Sequence, residues 1–307
     1  MNLLECLERD CKVLLEGALG ERLKREYGLY FDEHVAMASL VYSIEGRKAL
    51  GELWNGYLRI AKTNEMPFLA TTPTRRANEE RVAKSSFDGS IIQDNVAFLR
   101  NIQKDSGCTM FVGGLMGCKG DAYTGEGALS EHEAAAFHSW QADLFAQAGA
   151  DFLMAGIMPT LPEAAGMARA MENTNLPYII SFTIQKDGRL IDGTTISDAI
   201  CYIDSITNRN PVCYMTNCVH PSIVYEALSQ PFNENETVRN RFRGIQANTS
   251  PLSYAELDGC EDLKCTEPEL LAQEIKRLSR KSRFTIFGGC CGTDCRHMEA
   301  IAKEIIL

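Results

Sequence analysis

Two adjacent cysteines in a glycine-rich segment are the residues of this chain best suited to chemistry. Cys290 and Cys291 lie within the sequence Gly-Gly-Cys-Cys-Gly, directly after the apolar run 284–287. Neighbouring residues of a strand point to opposite faces, so the two thiols can converge only where the backbone leaves the strand, which the flanking glycines permit. Because adjacent cysteines rarely bond to each other without strain, the pair is predicted to offer two thiolates to one metal ion or one reactive partner.

A third cysteine follows another apolar run. Cys218 comes after the run 212–216 and two residues before His220. Three thiolates around Zn²⁺ leave the fourth tetrahedral position open, which is typical of catalytic zinc sites, whereas the paired Cys-x-x-Cys motifs typical of structural sites are absent from the sequence. Buried unreactive cysteines and an oxidisable vicinal dithiol are the alternatives that the spacing alone leaves open.

Length and charge limit the class of protein. The 307 residues include 45% hydrophobic side chains, enough for the large core of one barrel or of two smaller domains. The net charge of -10, with no basic stretch to offset it, argues against nucleic acid or an acidic membrane as a partner. The N-terminus lacks a signal-peptide core and no apolar run approaches the ~20 residues of a membrane span. We therefore expect a cytoplasmic protein whose 12 cysteines are reduced thiols rather than a disulfide framework.

Short apolar runs alternate with longer amphipathic segments along the whole chain. The predicted strands lie at 13–15, 68–72, 110–114, 152–155, 178–182, 212–216, 243–247 and 284–288. The predicted helices include 130–148, 161–172, 197–207, 223–228 and 267–280. Eight such units in a chain somewhat longer than about 250 residues predict a (β/α)₈ barrel that spans residues 1–307 as a single domain. A doubly wound open sheet is the rival, but the segment 17–20 is not a complete dinucleotide-binding motif.

The predicted barrel brings the candidate ligands together. Barrel active sites lie at the C-terminal ends of the strands. Cys218 follows the sixth predicted strand, Asn248 the seventh, and Cys290 with Cys291 the eighth. We therefore expect all four residues at one mouth of the barrel, with the three cysteines forming a zinc site there.

The chain resembles the zinc-dependent homocysteine S-methyltransferases, the family of betaine-homocysteine methyltransferase and of the homocysteine module of cobalamin-dependent methionine synthase. The segments that carry the resemblance are 217–218, 288–292 and the glycine-rich loop 15–20, with softer matches at 123–125, 137–141, 148–151, 158–164 and 181–182. The resemblance implies a barrel in which Cys218, Cys290 and Cys291 hold a zinc ion that binds a substrate thiol.

The implied activity is methyl transfer to a thiol. A free thiol has a pKa near ~8.5, and coordination to Zn²⁺ stabilises the thiolate. Homocysteine is the expected acceptor, with methionine as the product, and the expected partners are a small-molecule thiol and a methyl donor. S-methylmethionine, S-adenosylmethionine and betaine are all open as donors, and so are a corrinoid protein acting in trans and a homo-oligomer. The alternatives are transfer to a different thiol and a non-catalytic zinc-thiolate protein.

Three residues depart from the family pattern. The residues expected to contact the substrate are Glu16, Gly17, Ala18, Glu21, Gly156 and Asn248. Gly156 stands where the family commonly carries a Glu that contacts the amino group of the substrate, and Glu16 or Glu21 could replace that charge. Arg75 and Arg76 stand where the family usually has smaller polar residues. They could bind an anionic donor or a substrate carboxylate, or they are solvated surface.

Three histidines and one serine have local interpretations. His138 on a predicted helix is interpreted as a packing residue, and His297 as a capping or surface residue near the start of the last helix. His220 could orient a zinc thiolate from outside the ligand set. Ser130, followed by Glu133, is predicted to cap a helix.

Overall fold

Eight parallel strands, each paired with the next along the chain, close into a barrel in the computed structural model, which describes residues 3–252 and 265–306. The strands are β1 (Val13–Leu15), β2 (Phe68–Thr71), β3 (Met110–Met116), β4 (Phe152–Met158), β5 (Tyr178–Phe182), β6 (Cys213–Val219), β7 (Phe242–Ala247) and β8 (Ile286–Gly289). β1 pairs with β8, which completes the ring. The predicted (β/α)₈ barrel is confirmed.

Helices surround the barrel. They are α1 (Leu3–Glu8), α2 (Gly20–Tyr27), α3 (Ile44–Thr63), α4 (Glu79–Lys84), α5 (Ser90–Ser106), α6 (Glu131–Gln147), α7 (Leu161–Glu172), α8 (Ile196–Ile206), α9 (Pro221–Leu228), α10 (Glu236–Arg241), α11 (Pro268–Ser279) and α12 (Cys295–Ile306), with a 3₁₀ helix at Met37–Tyr42. Within the described ranges no helix is both long and apolar enough to cross a membrane.

Two layers of buried side chains hold the barrel together. The inner layer consists of inward-pointing strand residues, among them Leu15, Leu69, Met154 and Met215. α1 closes the bottom of this layer with Leu3, Cys6 and Leu7, each at most 3% exposed. The outer layer packs the other face of the strands against the helices. Because α1 fills one end, the C-terminal ends of the strands remain as the open mouth.

Three strands run farther than their apolar runs predict. β3, β4 and β6 extend to Met116, Met158 and Val219, because the ladders with neighbouring strands continue through glycine and polar residues. The prediction that Cys218 follows its strand is therefore wrong, since it lies inside β6, and Gly156 likewise lies inside β4. The register of β4 shifts between Ala155 and Met158, and that of β6 between Asn217 and Val219.

The predicted helices are present, with ends shifted by two residues at most. α7 spans the predicted segment 161–172 without change. The cap of α6 is also present, since the Ser130 hydroxyl accepts from the Glu133 N–H and the Glu133 carboxylate accepts from the Ser130 N–H. α3 was not predicted because its three glycines interrupt the helical pattern. One of them is required by packing, since a Cβ on Gly46 would lie 2.3 Å from the carbonyl oxygen of Leu40.

Candidate metal centre

Three cysteine sulfur atoms meet at the mouth of the barrel. The Sγ atoms of Cys218, Cys290 and Cys291 all lie within 4.8 Å of one another, and those of Cys218 and Cys291 are 3.5 Å apart. In the described part of the chain, no other group of three His, Cys, Asp or Glu side chains is arranged to hold one metal ion. Cys218 is buried and Cys291 is exposed, so the cluster is accessible from solvent on one side.

The irregular end of β6 positions Cys218. Its backbone has a φ of 63°, in the left-handed region that residues with a side chain rarely adopt. This conformation coincides with the register shift between Asn217 and Val219 and turns Cys218 out of the regular alternation of the strand. Asn248, which follows β7, donates from Nδ2 to the Cys218 sulfur at 3.6 Å. Asn248 is itself fixed, because its Oδ1 accepts from the Ser250 N–H at 2.9 Å.

A tight turn after β8 positions the other two cysteines. We call residues 290–293 the cysteine loop. The Cys290 N–H donates to the Ala247 carbonyl at 2.7 Å, and the Thr293 N–H returns to the Cys290 carbonyl at 3.1 Å. Gly292 has a φ of 82°, and a Cβ there would lie 1.9 Å from the Thr249 hydroxyl. Only glycine fits at this position of the loop.

The glycine-rich segment after β1 supports the cysteine loop. The Ala18 N–H donates to the Thr293 hydroxyl at 3.1 Å, and the Glu21 carboxylate accepts from the Gly292 N–H at 2.6 Å. A Cβ on Gly17 would lie 2.7 Å from the ring of Tyr57, whose hydroxyl donates to the Ala18 carbonyl. The residues predicted at positions 16–21 therefore lie beside two of the three sulfur donors.

Glu16 is a buried carboxylate at the mouth. It is 3% exposed and accepts from the Thr71 N–H at 2.9 Å and from the Thr71 hydroxyl. Burial raises the pKa of Glu16 to about 7, although its hydrogen bonds with Thr71 act in the opposite direction. Near neutral pH this side chain is therefore divided between its neutral and charged forms.

The thiols perturb one another. Hydrogen bonding with Cys290 and Cys291 holds the pKa of Cys218 well below its usual range, despite its burial. Hydrogen bonding with Cys218 in turn raises the pKa of Cys290 and raises that of Cys291 to about 12. The cluster therefore stabilises one thiolate, at Cys218, and keeps the other two protons until an opposite charge is present.

Gly156 has close neighbours inside the mouth. A Cβ at this position would lie 3.2 Å from Cδ1 of Leu115 and 3.8 Å from Oδ1 of Asn217, the residue before Cys218. The position thus faces the barrel interior on the side of the cysteine cluster. The Asn217 Oδ1 also accepts from the Ser181 hydroxyl at 2.5 Å.

Tyr123 is a site residue that the sequence did not assign. Its side chain hydrogen-bonds to Cys218 from the segment between β3 and α6. Tyr123 and Cys218 line one cavity of about 770 Å³. The other residues that line it are Ile184, Gln185, Lys186, Asp187, Ile191, Val219, Ser222, Ile223, Glu226, Pro251 and Leu252. The segment 123–125 was one of the softer matches to the family, which was the available signal.

Buried contacts anchor the segment that carries Tyr123. We call residues 117–130 the β3 loop. Glu163 on α7 is fully buried and accepts from the Lys119 N–H at 2.7 Å and the Leu129 N–H at 3.4 Å. Its other buried contact is His138 Nε2 at 3.1 Å, so His138 lies in a packing position rather than among the sulfur atoms. The Thr183 hydroxyl donates to the Ala122 carbonyl, next to Tyr123.

The other two histidines discussed in the sequence analysis, His220 and His297, make local contacts. His220 is the N-cap of α9, where its Nδ1 accepts from the Ser222 N–H at 3.2 Å. Burial lowers the pKa of His220 to about 4, which keeps the imidazole neutral. His297 lies 2.9 Å from Asp294 and 3.0 Å from the Thr266 carbonyl, at the start of α12.

Comparison with known proteins identifies a family. The family model described as homocysteine S-methyltransferase matches residues 13–305. Betaine--homocysteine S-methyltransferase 1 of Danio rerio is 25% identical over 294 residues, which cover 85% of this chain and 66% of that protein. Homocysteine S-methyltransferase YbgG of Bacillus subtilis is 30% identical over 188 residues, which cover 60% of this chain and 56% of that protein. The alignments thus span less than two thirds of either relative.

A solved structure has the same fold. The metallated form of the homocysteine methyltransferase MmuM from Escherichia coli superposes with a TM-score of 0.77 and covers 98% of this chain and 99% of its own. The apo form of the same protein superposes with a TM-score of 0.69. Sequence identity to both is 19%, so this likeness concerns the fold.

Proposed function

This chain belongs to the homocysteine S-methyltransferase family, and from that premise we propose that it is a zinc-dependent S-methyltransferase whose acceptor is homocysteine. The observation that carries the proposal is the convergence of the Cys218, Cys290 and Cys291 sulfur atoms within 4.8 Å at the barrel mouth. The same position in a (β/α)₈ barrel holds the active site of essentially every characterised enzyme with that fold.

The donor set fits Zn²⁺. Three thiolates are soft ligands that suit this ion, and three protein ligands leave one tetrahedral position for a substrate. The thiolate favoured at Cys218 provides a first ligand that needs no further deprotonation. When bound by these residues, Zn²⁺ would act as a Lewis acid that makes a thiol reactive as a thiolate near neutral pH.

The residues around the cysteines are proposed to bind the substrate and to orient the sulfur ligands. Asn248 and Tyr123 hold the Cys218 sulfur in place from two sides. The Glu16 carboxylate, buried next to the glycine-rich segment, is the proposed partner of the homocysteine ammonium group in place of the carboxylate that Gly156 lacks. The Ala18 N–H and the side chain of Glu21 keep this segment against the cysteine loop.

The cavity beside Cys218 is the proposed site of the methyl donor. Its volume of about 770 Å³ lies in the range of small-molecule sites. Ile184, Ile223 and Tyr123 give it an apolar wall for the transferred methyl group. Lys186, Asp187 and Glu226 add charged groups that could contact the rest of the donor. A small organic donor is therefore favoured over a corrinoid protein acting in trans.

The test is methyl transfer by the zinc-loaded protein. Homocysteine is incubated with S-methylmethionine, S-adenosylmethionine or betaine, each labelled in its methyl group, and labelled methionine is measured by mass spectrometry. We expect labelled methionine with at least one donor and none after Cys218→Ala. The same assay is run with other thiols and with an added methyl-corrinoid protein. If the protein binds zinc but methylates no thiol under any of these conditions, it is a metal-storage protein instead.

A further inference from the structure

Two arginines at the mouth of the barrel have no partner in the described part of the chain. Arg75 and Arg76, which follow β2, are half-buried, yet neither makes a hydrogen bond or ion pair with another described residue. Every other half-buried lysine or arginine within 3–252 and 265–306 does so. Arg81 nearby, for example, donates to the His34 carbonyl at 3.1 Å.

Arg75 packs near the backbone of Gly156. A Cβ on Gly117 would be 2.6 Å from Cγ of Arg75 and 3.4 Å from the carbonyl oxygen of Gly156. The side chain of Arg75 therefore packs on Gly117, at the ends of β3 and β4. The Gly156 position in turn faces Asn217, the neighbour of Cys218. These contacts place Arg75 on the same mouth as the cysteine cluster, on its β2–β4 side.

Within the described residues, no carboxylate forms a direct ion pair with either guanidinium group. Asp121 is used by the N–H groups of Tyr123 and Thr124, and Glu163 is used by the β3 loop and His138. Burial and the neighbouring Arg81 and Arg75 lower the pKa of Arg76, and the weaker opposing effects of Cys118 and Asp121 do not offset them. A half-buried positive charge without a partner is unfavourable, and an anion between the guanidinium groups would remove that cost.

We propose that Arg75 and Arg76 form a binding site for the carboxylate of the acceptor thiol. The inference rests on the proposed function and names the acceptor class, mercaptocarboxylic acids, of which homocysteine is one. Guanidinium groups present a planar pair of donors that matches a carboxylate, which lysine cannot do.

Three thiols of matched length test the site. Homocysteine carries both charged groups, 3-aminopropane-1-thiol lacks the carboxylate, and 4-mercaptobutanoate lacks the amino group. Binding to the zinc-loaded protein is measured by titration calorimetry without a methyl donor, which separates the acceptor from the donor. We expect the two acids to bind about 10- to 100-fold more tightly than 3-aminopropane-1-thiol, the range for a charged hydrogen bond.

Variants assign the effect to the arginines. In Arg75→Gln and in the double variant Arg75→Gln/Arg76→Gln, the preference for the two acids is expected to disappear, while affinity for 3-aminopropane-1-thiol stays unchanged. Arg75→Lys should restore part of the preference, and Arg59→Gln, at an exposed position on α3, should leave it intact. Melting temperatures identify any variant that fails to fold. If the Gln variants do not fold, the binding preference of Arg75→Lys tests the site in their place. An unchanged preference in folded Gln or Lys variants would overturn the site.

The outcome separates this inference from the proposed function. Tight binding of all three thiols, with methylation but no dependence on the carboxylate, overturns the arginine site and leaves the methyltransferase standing. If no thiol binds, the proposed function fails, and the site is judged by butanoate alone in a thermal-shift titration. Stabilisation of the native protein but not of the double variant supports the site. Equal shifts in both proteins, or none, overturn it.

Discussion

Cys218 combines an unfavourable backbone with the most stabilised thiolate of the cluster. A residue with a side chain at a φ of 63° costs about 1 kcal/mol or more relative to an extended one. The neighbouring strands hold it there, because Asn217 and Val219 on either side remain paired with β7. The backbone at this position therefore helps to direct the sulfur at the cysteine loop.

Removal of one sulfur should abolish zinc retention. The native protein should carry about one Zn²⁺ per chain. We expect Cys218→Ser and Cys291→Ser to lose most of it, because only two of the three protein thiolates remain to bind the ion. Zinc is measured by mass spectrometry after dialysis under reducing conditions. Cys201→Ser, at an exposed position on α8, is the matched control. Full retention in either site variant would contradict the metal centre.

Glu16 should make stability depend on pH. Its pKa is about 7 in the folded protein and near ~4.3 when unfolded, so the folded state holds a proton that the unfolded state releases between these values. Stability from Glu16 is thus complete below about pH 4.3 and is lost as the pH rises to about 7. Glu16→Gln removes this loss. We compare the free energy of unfolding of this variant with that of the native protein. The difference, variant minus native, should be about 3 kcal/mol larger at pH 8 than at pH 4.5.

Denaturant titrations of the metal-free proteins at the two pH values measure this difference. Glu33→Gln, at an exposed position, serves as the control because it changes the same charge without a change in burial. A difference between native protein and Glu16→Gln that does not change with pH would show that Glu16 ionises normally in the folded state.

Gly156 offers a test of charge at the mouth. Gly156→Glu introduces a carboxylate at the mouth that also carries Arg75, and the tightest contact of its Cβ, 3.2 Å to Cδ1 of Leu115, requires a shift of only a few tenths of an ångström. We expect affinity for 4-mercaptobutanoate to fall and that for 3-aminopropane-1-thiol to rise, each by about tenfold. Gly156→Ala controls for the added volume. Equal changes in affinity for both thiols would mean that the substitution acts through the volume of the added side chain and not through its charge.

The three sulfur donors were predictable from sequence, but Tyr123 was not. Each cysteine lies at or just beyond the end of an apolar run, and barrel topology then requires the three to share one mouth. Tyr123 reaches Cys218 because the β3 loop folds back over the mouth. That path depends on Glu163, more than thirty residues away on α7, and no local pattern in the sequence records such a contact.

At the scale of elements, the β3 loop depends on one buried carboxylate. We expect Glu163→Ala to accelerate hydrogen exchange at the N–H groups of Lys119 and Leu129 and to lower methyl transfer, because both groups lose their acceptor and Tyr123 loses its support. Exchange is followed by mass spectrometry of peptides from residues 117–130. Glu126→Ala, an exposed acid in the same loop, should exchange at the native rate. If the β3 loop of the Glu163→Ala variant also exchanges at the native rate, the contact with Glu163 does not hold the loop in place.

Strand ends were the least predictable part of the elements. β1 and β5 have the predicted bounds, whereas β4 and β6 continue past the last apolar residue of their predicted runs into Gly156, Asn217 and Cys218. Hydrophobic runs report burial, but the ladder persists wherever the neighbouring strand still offers donors and acceptors. The residues beyond the apolar run are therefore the ones available for the site.

At the scale of the whole molecule, stability and chemistry lie at opposite ends of the barrel. α1 closes the bottom and precedes residue 13, where the match to the family model begins. Leu7 on this helix is 2% exposed, whereas Leu4 is 42% exposed. The bottom of the barrel can therefore be weakened without a direct effect on the cysteine cluster.

Leu7→Ala should destabilise the protein and leave the metal centre intact. We expect the free energy of unfolding to fall by about 2–5 kcal/mol, the range for a large side chain removed from a core, with unchanged zinc content. Leu4→Ala, on the exposed side of the same helix, should change stability by less than about 0.5 kcal/mol. Denaturant titration and zinc analysis of the two variants check both statements. Zinc loss in folded Leu7→Ala protein would show that the two ends are coupled.

The strand order around the cluster also determines when the site can exist during folding. Cys218 and Cys291 are 73 positions apart, and their strands pair with β7 rather than with each other. A growing chain that has reached β6 carries one of the three sulfur donors, and the second and third arrive only with β8, the strand that also meets β1. The proposed metal site can therefore be completed only after β8 has been added to the chain, and binding of the metal would report that all three sulfur donors are in place.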